Sequence, residues 1–353
     1  MNPRLAGLRP LLLFLLFTGA VSAQTPSPAL LVLEKADNTL AIVDPGSMKI
    51  VGRVPAGPDP HEIEASPDGK LAYISNYGGS DSTLHTISVV DVAAQKALAP
   101  IDLGALHSAH GLAFGGGKLY FTAETNKAVG RYDPATQAID WVVGTGQDRT
   151  HMVWVDKSLE RIVTSNVNSG TISIIEQMSL RGPGGPPPGA PAGPGPGGPR
   201  RTWEVTSVPS GRGSEGFDVS PDGKEIWAAN AQDATVTIID VASKKAVQTF
   251  AISVKGANRM KFTLDGARVF VAGLGGGATG NVAIVDAASH KEIKKLDLGG
   301  GSAGILMVPG SARAFIAVSG QNKVAAIDLK ALEVTGYIET GKGPDGLAWA
   351  ERK

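Results

Sequence analysis

The sequence predicts an all-β fold, a seven-bladed β-propeller of four-stranded antiparallel blades, and three observations predict it. First, "SPDGKLAYISN" (66–76) returns as "SPDGKEIWAAN" (220–230), with weaker copies at 115–124, 156–166, 263–273 and 308–318. Second, each copy is followed by a strand-like segment ending in an acid, such as "TISVVD", "TISIIE", "TVTIID" or "NVAIVD". Third, the two ends of the chain hold complementary parts of one further copy. A repeating four-strand unit of about 40–50 residues is a propeller blade.

The N-terminus stands outside this pattern. Arg4 and Arg9 precede "LLLFLLF" (11–17), and "VSA" ends at Ala23. A basic start, a short apolar run and small residues before a cleavage point read as a secretory signal peptide. The run is too short to span a bilayer. The expectation is a leader over 1–23 and a mature chain over 24–353, exported to the periplasm or beyond, with no transmembrane anchor. The chain has no cysteine, which excludes a lipid-modified cysteine anchor, disulfides and thiolate metal sites. Glycine is abundant, at 46 of 353 residues, as a turn-rich β protein requires. Formal net charge is zero, so no basic field recruits nucleic acid. A monomer is expected.

The blades follow in order. Taken at the end of each second strand, the copies fall at Lys35, Asn76, Glu124, Asn166, Asn230, Gly273 and Val318. Intervals are 41 to 48 residues except one of 64. The strands are short, β-branched or aromatic, and "SPDG" supplies the turn between a blade's first two strands. The long interval carries "RGPGGPPPGAPAGPGPGGPR" (181–200), which cannot build a core. It falls between the third and fourth strands of its blade and is expected to be a disordered surface loop or a docking segment. "ALLVLEKADNTLAIVD" (29–44) lacks a leading strand, and "GPDGLAWAE" (343–351) supplies one. The C-terminus therefore closes the ring.

Aligned at the start of the innermost strands, the blades present Asp345, His61, His110, His151, Glu215, Arg259 and Ala303. Equivalent positions of a propeller share a radius, so these side chains should meet at one mouth of the central channel. His85, His107 and Glu124 are assigned to the same face and His290 to the other. Three readings stay open. His61, His110 and His151, with Glu215 or Asp345, suit zinc or another divalent metal. The same ring with Arg259 suits an anionic or sugar-like small molecule. It is also compatible with inert channel lining.

The unit "SPDGKEIWAANAQDATVTIIDVASKKAVQTF" (220–250) resembles the YVTN-repeat, YncE-like family of extracytoplasmic β-propellers. That resemblance spans nearly all of residues 30 to 351. It implies export and a binding or surface role, with a cell-envelope protein among the candidate partners. Related propellers include lactonases, so the alternatives are a lactonase-like hydrolase and a structural scaffold. The resemblance also implies that a histidine after proline is an inherited feature of the repeat.

Two nucleotide-like motifs lack their context. "GGGATG" (275–280) precedes a strand and no helix, and "GYIETGKG" (336–343) ends in Gly343 where a P-loop needs Ser or Thr. No G-x-S-x-G is present.

Overall fold

The structure is a computed structural model and describes residues 25–180, 200–275 and 281–353. The expected leader, nearly all of the Pro/Gly-rich insert and most of "GGGATG" lie outside the described residues. Among the described residues no helix is long and apolar enough to cross a membrane.

Seven antiparallel sheets form seven blades. Blade 1 is Ala29–Glu34, Thr39–Asp44 and Lys49–Pro55, with Pro344–Ala350 as its innermost strand. Blades 2 to 7 start at Pro60, Ala109, Thr150, Ser214, Ala257 and Ser302, and each runs outward from its first strand to its fourth. The C-terminal strand pairs with the first strand of the chain, Leu30 opposite Trp349 and Leu31 opposite Ala348. The closure expected from the two chain ends is therefore observed, and it pairs the inner edge of Ala29–Glu34.

The core explains the strand sequences. The described residues hold seven apolar clusters, and each lies between two adjacent blades. Leu31, Leu33 and Leu40 pack toward blade 2, while Leu30, Val32 and Ala41 pack toward blade 7. A middle strand is thus buried on both faces, so it reads as an apolar run and not as an alternation. Burying one such Leu or Val fully is worth about 1.5–3 kcal/mol. The outermost strands alternate instead, as in Lys291–Asp297, because one face meets water. In blade 2 that strand is interrupted. Lys96–Ala97 and Ile101–Asp102 both pair with Thr86–Asp91. Pro100, which has no N–H to give to the ladder, lies in the gap.

The 64-residue interval has a structural counterpart. Thr171–Leu180 and Arg200–Pro209 pair over ten positions, from Thr171 opposite Pro209 to Leu180 opposite Arg200. The insert therefore leaves blade 4 between its third and fourth strands, as the sequence indicates.

Register corrects three assignments by one residue. Six blades pair the first residue of the innermost strand with the last of the second: Pro60–Asn76, Thr150–Asn166, Ser214–Asn230, Ala257–Gly273, Ser302–Val318 and Pro344–Glu34. Blade 3 pairs Ala109 with Ala123 in the same way. The strand ends are therefore Glu34 and Ala123, not Lys35 and Glu124. By the same count Asn258, not Arg259, is the blade 6 equivalent of His61. Every innermost strand shifts register just after its first residue, in blade 6 between Ala257 and Arg259. That shift is what makes counting from sequence uncertain by one.

Candidate functional site at the channel mouth

Two rings of equivalent positions build the mouth. The first is the second residue of each innermost strand: Asp345, His61, His110, His151, Glu215, Asn258 and Ala303. The second is the residue that follows each second strand, among them Lys35, Tyr77, Glu124, Leu274 and Ser319. The backbone N–H of Lys35, Tyr77, Glu124 or Leu274 donates to a carbonyl in the loop leading to the innermost strand. This bond turns their side chains over the mouth. Glycine dominates the next position down the innermost strand, at Gly111, Gly216, Gly304 and Gly346. A Cβ at Gly111 would stand 2.6 Å from the His151 carbonyl oxygen, and one at Gly216 2.6 Å from that of Asn258. These glycines let neighbouring strands approach closely, so the ring side chains crowd together.

They do crowd. The His61 and His110 ring centroids are 5.0 Å apart, and those of His110 and His151 are 3.6 Å apart with planes 31° from parallel. Tyr77 stands edge-on to His61 at 4.7 Å and to His110 at 4.8 Å. The Tyr77 hydroxyl donates to Glu124 Oε2 at 2.7 Å, and Glu124 Oε1 bonds His151 Nδ1. Arg149 Nε lies 3.5 Å from the same carboxylate. His151 Nε2 lies 3.5 Å from Glu215 Oε1, too far for a good hydrogen bond. Arg259 rises from one layer below. Its Nη2 donates to Glu62 Oε1 at 2.5 Å, while Nη1 is 3.5 Å from Glu215 and Nη2 3.9 Å from Asp345. Lys35 Nζ donates to His61 Nε2 at 2.5 Å.

Burial and partners set the protonation states. Burial, with Lys35 alongside, pushes the His61 imidazole down to about 3. Burial beside two other imidazoles holds His110 well below its ordinary value. Burial acts the same way on His151, but the bond to Glu124 and the nearby Glu215 carboxylate outweigh it and raise that imidazole. Burial would raise Glu215, yet His151 and Arg259 bring it down to about 2. Burial pushes Asp345 and Glu62 upward against the pull of Arg259. The mouth thus sets two imidazoles held toward the neutral form beside one held toward the charged form, among a mixture of carboxylates and cations.

The three histidines, Arg149, Glu215, Arg259 and Asp345 line a cavity of about 560 Å³. Several of its lining atoms are buried without a hydrogen-bond partner among the described residues: His110 Nδ1, His151 Nε2, Arg149 Nε, Arg259 Nε, Asn258 Oδ1 and Asp345 Oδ1. Buried polar groups are normally paired, so such a concentration around one cavity sets this mouth apart from the rest of the described residues. Arg259 also lines a second cavity of about 330 Å³ deeper in the channel, with Glu62, Glu64, Trp154 and Lys261. Arg259 therefore borders both spaces. Glu64, half-buried by area but ringed by protein, is pushed up to about 7 by burial.

Of the residues expected from the sequence, His61, His110, His151, Glu215 and Asp345 share this cavity, and Arg259 joins them from the layer below. His61, His110 and His151 meet as packed rings instead of aiming nitrogens at one point. Among the described residues no group of three or more His, Asp or Glu side chains is placed to hold a metal ion. The expected metal set of His61, His110 and His151 with Glu215 or Asp345 is therefore not assembled in this geometry. His85 and His107 pack on each other at 5.9 Å and are not among the lining residues of the cavity. His290 packs on Trp227 and Phe250. Sequence reasoning missed Lys35, Tyr77, Arg149, Asn258 and Glu62. Lys35 and Tyr77 were findable, since they share a repeat position with Glu124.

No protein-family model matches the chain, and no curated protein matches it. Solved structures with the same fold do. A functionally unknown protein from Desulfotomaculum acetoxidans aligns with TM-score 0.71 and 12% identity over 93% of this chain and 100% of that one. Kuenenia stuttgartiensis hydrazine synthase aligns with TM-score 0.63 and 20% identity, over 82% of this chain and 89% of that one. The dihydro-heme d1 dehydrogenase NirN, in complex with DHE, gives 0.61 and 16%, over 90% of this chain and 74% of that one. At such identities the likeness establishes the β-propeller fold and nothing about activity.

Proposed function

We propose that this chain is an exported β-propeller of the YVTN-repeat type that binds a small polar molecule at the histidine-rich mouth of its channel. The observation that carries the binding role is the set of buried, unpartnered polar atoms around one cavity. A scaffold has no need to bury His110 Nδ1, Asn258 Oδ1 and Arg259 Nε unsatisfied, at about 1–3 kcal/mol each. A ligand that pairs them recovers that cost. Export rests on the basic, apolar and small-residue order of residues 1–23.

A hydrolytic role for the same site has one observation in its favour. Glu124 fixes His151 through Nδ1, leaving Nε2 3.5 Å from Glu215 Oε1 beside the cavity, which is the arrangement of an oriented acid or base. Binding is the broader reading because the unpartnered atoms call for a polar ligand whether or not it reacts.

The test is thermal unfolding of the chain from residue 24, purified without a His tag, against amino acids, organic acids, sugars, Zn²⁺ and Cu²⁺. A compound that raises Tm in the wild type and not in a His110→Ala/Arg259→Gln variant supports the mouth site. Tm shifts equal in both proteins, or none with any compound, overturn it. Stoichiometric Zn²⁺ or Cu²⁺ lost in the variant would replace the small-molecule reading with a metal site.

A further inference from the structure

The cavity is chemically two-sided. Blades 3 and 4 contribute nitrogens without a hydrogen-bond partner among the described residues: His110 Nδ1, His151 Nε2, which stands 3.5 Å from Glu215 Oε1, and Arg149 Nε, 3.5 Å from Glu124 Oε2. Across the sevenfold ring, blades 6 and 1 contribute acceptors without a hydrogen-bond partner among the described residues: Asn258 Oδ1, and Asp345 Oδ1 with Arg259 Nη2 3.9 Å away. His110 and His151 are each 1% exposed, Asn258 3% and Asp345 8%, so these groups lie deep in the mouth. Leu274 and Ala303 line the same space and offer apolar contact beside the acceptors.

Charge is close to balance. Lys35, Arg149 and Arg259 are interleaved with Glu124, Glu215 and Asp345, and Asp59 stands at the rim. Such a site gives a simple anion no net attraction, because Glu215 and Asp345 face the space it would fill. A simple cation meets Arg149, Arg259 and Lys35. A molecule with both signs on one short frame satisfies both walls at once. The cavity volume lies within the range of small-molecule sites.

We propose that the mouth binds a small zwitterion of the α-amino acid class, with its carboxylate on the His110–His151–Arg149 wall and its ammonium on the Asp345–Asn258 wall. This rests on the reading of the mouth as a small-molecule site and names its ligand class. Guanidinium and imidazole N–H groups donate to the carboxylate, and charge-assisted bonds of this kind are the stronger ones. The ammonium donates to Asp345 Oδ1 and Asn258 Oδ1, with the ligand side chain left toward Leu274 and Ala303.

The experiment is calorimetric titration of the chain from residue 24 with each of the common L-amino acids. The best binder is then compared with its two truncated analogues, the carboxylic acid without the amine and the amine without the carboxylate. The prediction is saturable one-to-one binding, weakened at least ~100-fold in both analogues, because each leaves buried polar partners unpaired. Asp345→Asn is expected to weaken the amino acid by ~10-fold or more and leave the amine-free analogue nearly unchanged. Asn258→Ala is a second probe of the ammonium wall if Asp345→Asn fails to fold. Equal affinity for an amino acid and its amine-free analogue, or for a sugar, overturns the zwitterion and leaves the mouth site standing. Binding that survives in a His110→Ala/Arg259→Gln variant, or no binding by any compound, overturns the mouth site itself.

Discussion

Glu124 decides the state of the mouth at the level of single residues. Its carboxylate is buried and takes the Tyr77 hydroxyl, His151 Nδ1 and the nearby Arg149. Removing the charge takes from Tyr77, His151 and Arg149 the carboxylate they share. Glu124→Gln is expected to cost about 3–5 kcal/mol in chemical denaturation, the range for breaking one side of a buried pair. Tyr77→Phe removes one bond to a charged group and should cost less, about 1.5–3 kcal/mol. The reverse order would mean that the carboxylate is not the hub. The imidazoles also fix a pH dependence. His61 titrates near 3 when folded and near 6.5 when unfolded, and His110 is likewise lowered. The unfolded chain binds more protons in between, so their contribution is present above pH 6.5 and fades as pH falls toward 3. His151 is raised and acts oppositely, stabilising below 6.5 and losing that effect as pH rises through its folded value. Thermal unfolding between pH 7 and 4 should therefore show a falling Tm. His61→Gln should flatten that fall, and an unchanged slope would contradict the assignment.

Close packing of the innermost strands is the property that matters for the elements. Gly111 has no left-handed φ, so its role is space alone. Gly111→Ala would drive a Cβ to 2.6 Å from the His151 carbonyl oxygen and 2.7 Å from Met152 Cα, and neither backbone atom can swing away. About 1–3 kcal/mol of destabilisation is expected. Gly144, at the end of an outer strand, meets nothing within 4 Å, and Gly144→Ala should be neutral or slightly stabilising. Similar effects of the two substitutions on Tm would undo the packing argument. The same strands show why part of the site was legible and part was not. Repeats and acid-ended strands placed His61, His110, His151 and Glu215 on one ring, because all four precede an identical local pattern. The register shift at the start of each innermost strand moved Arg259 one layer down and put Asn258 in its place. It also hid that Lys35, Tyr77 and Glu124 are equivalent. In a β-strand an error of one residue exchanges the two faces. Glu62 was invisible for another reason: its partner Arg259 is 197 residues away, and only the closed ring brings them together.

For the whole molecule, closure is what gives the mouth its shape. Pro344–Ala350 completes blade 1, carries Asp345, and packs Ala348 and Ala350 toward blade 2 and Leu347 and Trp349 toward blade 7. A chain ending at Gly343 exposes the Ala29–Glu34 edge and opens two apolar interfaces at once. It is expected to lose cooperative unfolding and to elute as an expanded or aggregated species in size-exclusion chromatography. A wild-type melt from that truncation would contradict the closed ring as the source of stability. The histidines make the central claim directly observable, since His61, His110 and His151 line the cavity whereas His290, packed on Trp227 and Phe250, does not. The most direct measurement is ¹⁵N-histidine NMR of the chain from residue 24 during titration with the best-binding amino acid. The account predicts saturable shifts at His110 and His151, a smaller one at His61, and none at His290. Shifts confined to His290, or absent from His110 and His151 at saturation, would contradict a ligand site at the mouth.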